Sequence, residues 1–306
     1  MTETVVRESV IEVRDLTRSF RRKQALAGVS ITVPQGVVYG LVGENGAGKT
    51  TLLKHIMGSL RAQSGSVRVF GMDPVREPVA VLSRLGYLSE DRDIPGWMRV
   101  GEAMRYTQAF YPGWDEAYAA SLREQFELDE RAKIKTLSRG EKAKCGLLLA
   151  LAYRPPLLVL DEPSSGLDPS ARHDILEAIV RTVADEGRTV LFSSHLLDEV
   201  ERVADVVAMI HHGKVVFEES LDSIKARHWR LLVSRQEGAG SPPELPGLLH
   251  ASGSGREWTL VCAGDMETLQ AEATARGLLL LEADQPSLEE VFLARVAPGR
   301  KKEVVS

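Results

Sequence analysis

The chain has 306 residues, of which 43% are hydrophobic and 26% charged, and a net charge of −5. That size suits one large domain with a smaller companion, and that balance suits an ordinary globular protein in water. The acidic excess argues against nucleic acid as a partner, because phosphate contacts call for a basic face.

The first residues, "MTETVVRESVIEVRDL", carry acids and no apolar core, so no signal peptide is expected. "VIEVRDL" and "GVSITV" alternate as strands do. "GVVYGLVG", Gly36 to Gly43, is a continuous apolar run of buried-strand length. A glycine-rich loop follows, then "KTTLLKHIMGSL" with helical spacing and a stop near Gly58. "GSVRVFG" reads as another strand, and residues from about 91 to 140 read as a helical insertion. "PPLLVLDEP" and "TVLFSSH" are further buried strands, and "DVVAMIHHGKVVFEES" is a hairpin about His212-Gly213. After Leu221 the character changes. "EGAGSPPELPG" reads as a loop, and "EWTLVCAGD", "METLQAEATARG" and "LLLLEAD" read as strand, helix, strand. "SLEEVFLARV" closes as an amphipathic helix, and "APGRKKEVVS" is expected to fray. Cys145 and Cys262 lie far apart and match no metal spacing, which suits a reducing compartment. No apolar window reaches the length of a membrane span.

"GENGAGKT", Gly43 to Thr50, fits G-x-x-x-x-G-K-[ST] between a strand and a helix. Gly43, Gly46 and Gly48 let backbone N–H groups close on phosphate oxygens, and the helix N-terminus adds partial positive charge. Lys49 is expected at the β- and γ-phosphates and the Thr50 hydroxyl at Mg²⁺. "LLVLDEP" puts Asp161 and Glu162 at a strand end, as a metal-holding aspartate and a general base require. His195, in "LFSSH", stands just past another strand end, where an imidazole can hold the water and the base. "LSRGEK" opens a long apolar helix with Ser138 as cap and Glu141 three residues on, a capping box whose spare N–H groups also suit an anion.

In this order, "GENGAGKT", "GYLSE", "LSRGEK", "LLVLDEP", "SSGLD" and "SSH" resemble the ATP-binding-cassette (ABC) ATPases, the nucleotide-binding subunits of ABC transporters, over about Val10 to Leu221. "FYPGWD" and the closing "PSLEEVFLARV" look like segments of bacterial drug- and antibiotic-export relatives. The resemblance implies an α/β fold: a P-loop cassette with a parallel core sheet, N-terminal antiparallel strands, a helical subdomain at about 91–140, and a small α+β domain over 222–306. It implies ATP and Mg²⁺ as ligands. Phe20 would stack on adenine, and Asn45 and Thr51 would belong to the phosphate loop. Glu90 would stand where most members carry a Gln beside Mg²⁺ and the attacking water. Thr50, Asp161 and Glu90 would face the metal, and Glu162, His195 and Glu90 the chemistry. Ser138, Gly140 and Glu141 would bind the γ-phosphate held by a second cassette, with Asp168 at the seam between the two. Arg139 and Glu141 depart from the common L-S-G-G-Q.

The partners implied are a separate integral membrane permease and a second cassette, either another copy of this chain or a sister ABC subunit. The place implied is the cytoplasmic face of the cell membrane. Residues 91 to about 101 would meet the permease, with Trp97 and Met98 as candidate apolar anchors. Two other readings compete. One is a soluble ABC-type nucleotide switch, disfavoured by the single phosphate loop and by the lack of room for long insertions. The other is a tail that regulates the ATPase.

Overall fold

The structure is a computed structural model that describes residues 8–21, 23–184, 186–235 and 242–296. The first seven residues, part of the Gly/Pro/Ser-rich loop and the terminal "APGRKKEVVS" lie outside the described residues. The chain divides into two compact units, Met1–Glu218 and Glu219–Ser306.

The first unit begins with β1 (Ser9–Phe20) and β2 (Lys23–Pro34). Their alternation buries Ile11, Val13, Leu26, Val29 and Ile31 on one face and leaves the other to solvent. β3 (Val38–Val42) leads into α1 (Lys49–Ile56), whose run ends before Gly58 at φ +71°. β4 (Ser64–Val69) returns to pair with β1, completing an antiparallel sheet of order β2-β1-β4. The short α2 (Pro78–Leu82) precedes β5 (Leu85–Leu88).

The helical stretch then supplies α3 (Val100–Gln108), α4 (Glu116–Gln125) and α5 (Arg139–Leu151). "FYPGWD" has a structural task here, since Asp115 caps α4 by accepting from the Tyr118 N–H at 2.9 Å. β6 (Leu157–Asp161), α6 (Pro169–Ala184), β7 (Thr189–Ser194), α7 (Leu197–Val203) and β8 (Val206–His211) follow, and β9 (Lys214–Ser220) runs to the unit's end at Glu218 and two residues past it. Both residues of the β8–β9 turn, His212 and Gly213, have positive φ, as a tight hairpin requires.

The second sheet has the order β5-β6-β7-β3-β8-β9, parallel from β5 through β8. Every residue of β3, β6 and β7 is buried, which explains why these strands read as unbroken apolar runs. Because the strands are parallel neighbours, their carboxyl ends share one edge of the sheet. Val42 pairs with Ser194, and Asp161 with Ser193. Ligand crevices of open α/β sheets lie at that edge.

The second unit holds α8 (Leu221–Arg227), β10 (His228–Arg235), β11 (Leu248–Ser254), β12 (Glu257–Ala263), α9 (Met266–Ala275), β13 (Leu278–Asp284) and α10 (Leu288–Val296). Its four strands form an antiparallel sheet of order β11-β12-β10-β13. Leu231, Val233, Leu260 and Cys262 pack there with Leu269 of α9.

Candidate functional site

The loop from Gly43 to Gly48 carries the chain from β3 into α1 along a path that side chains would block. A Cβ on Gly43 would lie 2.2 Å from the Ile210 carbonyl oxygen. One on Gly48, at φ +115°, would lie 2.5 Å from that of Ala25. The loop therefore packs tightly on β2 and β8 and delivers the α1 N-terminus to the sheet edge.

Lys49 opens α1 and is only 5% exposed. Its ammonium donates to the Gly43 carbonyl at 2.5 Å and lies 3.0 Å from Glu162 Oε1. Glu162 is 4% exposed and adopts φ +49°, an uncommon conformation for a side-chain-bearing residue. That backbone reversal answers a question of strand geometry. Asp161, the last residue of β6, and Glu162 would otherwise face opposite sides of the sheet. Instead both carboxylates serve the same edge. Glu162 Oε2 lies 2.7 Å from His195 Nδ1. Thr50 Oγ1 donates to Asp161 Oδ1 at 3.2 Å. Lys49, Thr50, Asp161, Glu162 and His195, distant in the chain, thus form one connected constellation.

A cavity of about 360 Å³ opens on this constellation and is lined by Phe20, Asn45, Gly46, Thr51, Glu90 and Lys49, among others. Phe20 is 42% exposed, with the Arg18 guanidinium 4.7 Å from its ring centroid, so it is no core phenylalanine. Lys23, which sequence reading passed over, also lines the cavity.

The site suits a nucleoside triphosphate with a divalent cation. A helix N-terminus, a buried ammonium and hydroxyls offer donors to phosphate. Thr50 and Asp161 offer hard oxygens of the kind Mg²⁺ prefers. Negative charge is concentrated on that side. Burial, followed by the charges of Asp161, Asp91, Asp93 and Glu90, pushes the Tyr87 hydroxyl up to about 12. Among the described residues no group of three or more His, Cys, Asp or Glu is placed to hold a metal ion.

Ser138, Gly140, Glu141 and Asp168 form a separate group. Ser138 Oγ accepts from the Glu141 N–H at 3.1 Å and Glu141 returns a bond to the Ser138 N–H at 2.7 Å, the expected capping box. These bonds hold the Glu141 carboxyl below its ordinary range. Asp168 accepts from the N–H groups of Ser170 and Ala171 at 3.0 Å, which lowers its carboxyl likewise. A Cβ on Gly140 would come within 2.8 Å of Ala171 and 3.4 Å of Asp168 Oδ2, so the two loops touch. Arg139 reaches toward the same loop, with its guanidinium 3.2 Å from where a Gly166 Cβ would stand. None of Ser138, Gly140, Glu141 or Asp168 lines the cavity at Lys49.

Ser193 is a linchpin that sequence reading missed. Its hydroxyl donates to Asp161 Oδ1 at 2.7 Å and accepts from the Glu162 N–H at 3.0 Å. The "SSH" motif contained it, but a buried serine on a strand carries no sign of its partners. Trp97 and Met98 part company: Trp97 is 72% exposed and Met98 is buried at 6%.

Comparison with known proteins gives the family. The ABC transporter family matches residues 26–165. The Nod factor export ATP-binding protein I of Rhizobium sp. (strain N33) is 33% identical over 311 residues, spanning 96% of this chain and 98% of that protein. The chain belongs to the ATP-binding subunits of ABC transporters. The daunorubicin/doxorubicin resistance ATP-binding protein DrrA of Streptomyces peucetius is 36% identical over 71% of this chain and 67% of its own length. A solved ATP-binding subunit of an ABC transporter superposes with a TM-score of 0.65 at 30% identity, covering 71% of this chain and 92% of that chain. A nucleotide-free cassette gives 0.60 at 26%, covering 70% and 92%. The fold is the ABC cassette of P-loop NTPases, and the chain is an ATPase whose hydrolysis is coupled to transport.

Proposed function

We propose that this subunit powers a separate export permease, and that ATP bound at the Lys49 cavity closes two cassettes against each other. The observation that carries this reading is the Lys49–Glu162–His195 chain beside the Thr50–Asp161 pair. Lys49 would turn its ammonium to the β- and γ-phosphates, the loop N–H groups would cradle them, and Phe20 would stack on the adenine. Mg²⁺, held by Thr50 and Asp161 with Glu90 nearby, would neutralise charge on the phosphates. Glu162 would take the proton of the attacking water, and His195 would hold Glu162 through the 2.7 Å contact. Ser138, Gly140 and Glu141 would present their helix N-terminus to the γ-phosphate of the second cassette, with Asp168 at the seam. That second cassette would be another copy or a sister subunit.

Among the described residues no helix is long and apolar enough to cross a membrane, which supports a permease on another chain. A cavity of about 720 Å³ between the helical stretch and the sheet supplies a place to dock it, lined by Tyr87, Leu88, Ile94, Tyr106, Phe110 and Tyr111, among others. Exposed Tyr106 and Phe110 suit apolar anchors there, and Trp97 is a further exposed apolar side chain of the helical stretch. The working place would be peripheral, on the cytoplasmic face of the cell membrane. Export is favoured over import by full-length similarity to the Nod factor export protein.

The test is affinity purification of Glu162→Gln with ATP·Mg²⁺ from mildly solubilised native membranes. A polytopic membrane protein recovered in stoichiometric amount is expected. Recovery of this chain alone, or with ribosomal or DNA-repair proteins, would contradict the transporter coupling.

A further inference from the structure

Outside the constellation around Lys49, which holds buried Asp161 and Glu162, lies a third buried carboxylate. Glu199, in the first turn of α7, is 1% exposed. Its Oε2 accepts from Ser164 Oγ in a short hydrogen bond and from Ser194 Oγ at 3.5 Å. Its Oε1 faces Arg172 Nε at 3.1 Å. The two hydroxyl donors and the guanidinium come from three different places. Ser164 stands two residues after Glu162, and Ser194 immediately precedes His195. Arg172 stands in α6, one turn after Asp168, and its own N–H donates to the Asp168 carbonyl at 3.0 Å.

We propose that Glu199 is a positioning residue for ATP hydrolysis, one carboxylate that fixes the segment after Glu162 against the residue before His195. The inference rests on Glu162 and His195 acting in hydrolysis as described above.

A buried carboxylate costs stability that a well-packed apolar residue would not. Burial raises the Glu199 carboxyl above its ordinary value, so the charge is carried against a penalty. Its donors flank the two residues whose mutual distance matters most. The Glu162–His195 contact spans only 2.7 Å, and His195 is a third exposed with no second hydrogen bond of its own among the described residues. The position of the ring also depends on the backbone that carries it. That backbone is pinned at Ser194, whose hydroxyl also accepts from the Leu196 N–H at 3.0 Å. The Glu162 end is pinned at Ser164, which is buried at 1%. Releasing both serines lets the base and its holder drift, and small misplacements of reacting groups are costly in rate.

The test uses the full chain and steady-state ATP hydrolysis, normalised to folded protein by thermal unfolding. Glu199→Ala is expected to lower kcat about tenfold or more while KM for ATP changes by less than about twofold. Glu199→Gln should recover most of that loss, because an amide oxygen still accepts from the serines and Arg172 can turn to water. Glu199→Ala combined with His195→Ala should lose less than the product of the two single losses, since part of what Glu199 fixes is the position of His195. A kcat equal to wild type, losses that multiply in the double variant, or a Glu199→Gln as slow as Glu199→Ala would each overturn the proposal. Should Glu199→Ala fail to fold, Ser164→Ala with Ser194→Ala removes both hydroxyl bonds while leaving Arg172 paired, and the same split between kcat and KM decides. Glu162→Gln serves as the control: wild-type turnover there would refute the role of Glu162 itself, separately from that of Glu199.

Discussion

Replacing Lys49 with Met tests whether the ammonium holds Glu162 in place as well as binding phosphate. Both side chains are about 5% exposed and their charged atoms are 3.0 Å apart. At an effective dielectric of about 20, that separation gives a gross attraction of about 5 kcal/mol. Desolvation of the two ions offsets most of it, so the pair adds little net stability compared with an apolar pair. Removing one partner is different, because the other stays buried and charged, at a cost of about 3–5 kcal/mol. Glu162 keeps His195 Nδ1 at 2.7 Å, which places Lys49→Met near the lower end, at about 3 kcal/mol. For a unit of this size that lowers Tm by about 9 °C. Lys49→Met combined with Glu162→Gln removes the orphaned charge and should recover most of the loss. Thermal unfolding followed by far-ultraviolet circular dichroism reads both. A single variant within about 2 °C of wild type, or a double variant no more stable than the single, would refute the reasoning.

Ser138→Arg is expected to abolish ATP-dependent dimers while leaving the fold intact, with loss of the capping box costing about 1 kcal/mol. Dimers that persist in size-exclusion chromatography would count against the role given to that loop. Glu90→Gln should retain ATPase activity within about tenfold, or roughly 1.4 kcal/mol of barrier, because an amide oxygen can still face the cation. A drop of several orders of magnitude would show that the carboxylate itself is required. Burial holds the His55 imidazole below its ordinary value of 6.5, so the unfolded chain takes up a proton before the folded one does. Stability is then fully present above pH 6.5 and falls as pH drops through the interval toward the folded pKa. Urea titrations of wild type and His55→Gln check this, and an unchanged acid slope in the variant would refute it.

The phosphate loop was legible because its chemistry and its backbone demands coincide in one short segment. Gly48 is required both by φ +115° and by the Ala25 carbonyl 2.5 Å from its would-be Cβ, so the glycine pattern and the fold say the same thing. The buried strands β3, β6 and β7 were equally legible as apolar runs, and "SRGE" foretold the capping box at α5. Other features depend on contacts that no local pattern encodes. Ser193 and Ser164 look like ordinary small polar residues until β6, β7 and α7 are brought together around them. Glu199 reads as a helix-opening acid, and its burial emerges only when α6 packs against α7. In the second unit β10 and β11 went unread. "HWRLLVSR" mixes charges into its apolar positions, and "LLHASGS" trails into small residues. Their pairing with β12 and β13 outweighs those weak local preferences. Trp97 and Met98 show the same limit, since two adjacent apolar residues divide between surface and core by geometry alone.

The most direct test of the account is the ATP-dependent association of the Glu162→Gln chain, measured by analytical ultracentrifugation beside its rate of ATP hydrolysis. If Glu162 is the base and ATP joins two cassettes, the variant binds ATP·Mg²⁺, hydrolyses it at least about a hundredfold more slowly than wild type, and sediments as a stable dimer only when ATP is present. A variant that turns over ATP at the wild-type rate, or that binds ATP tightly and remains a monomer, would contradict it.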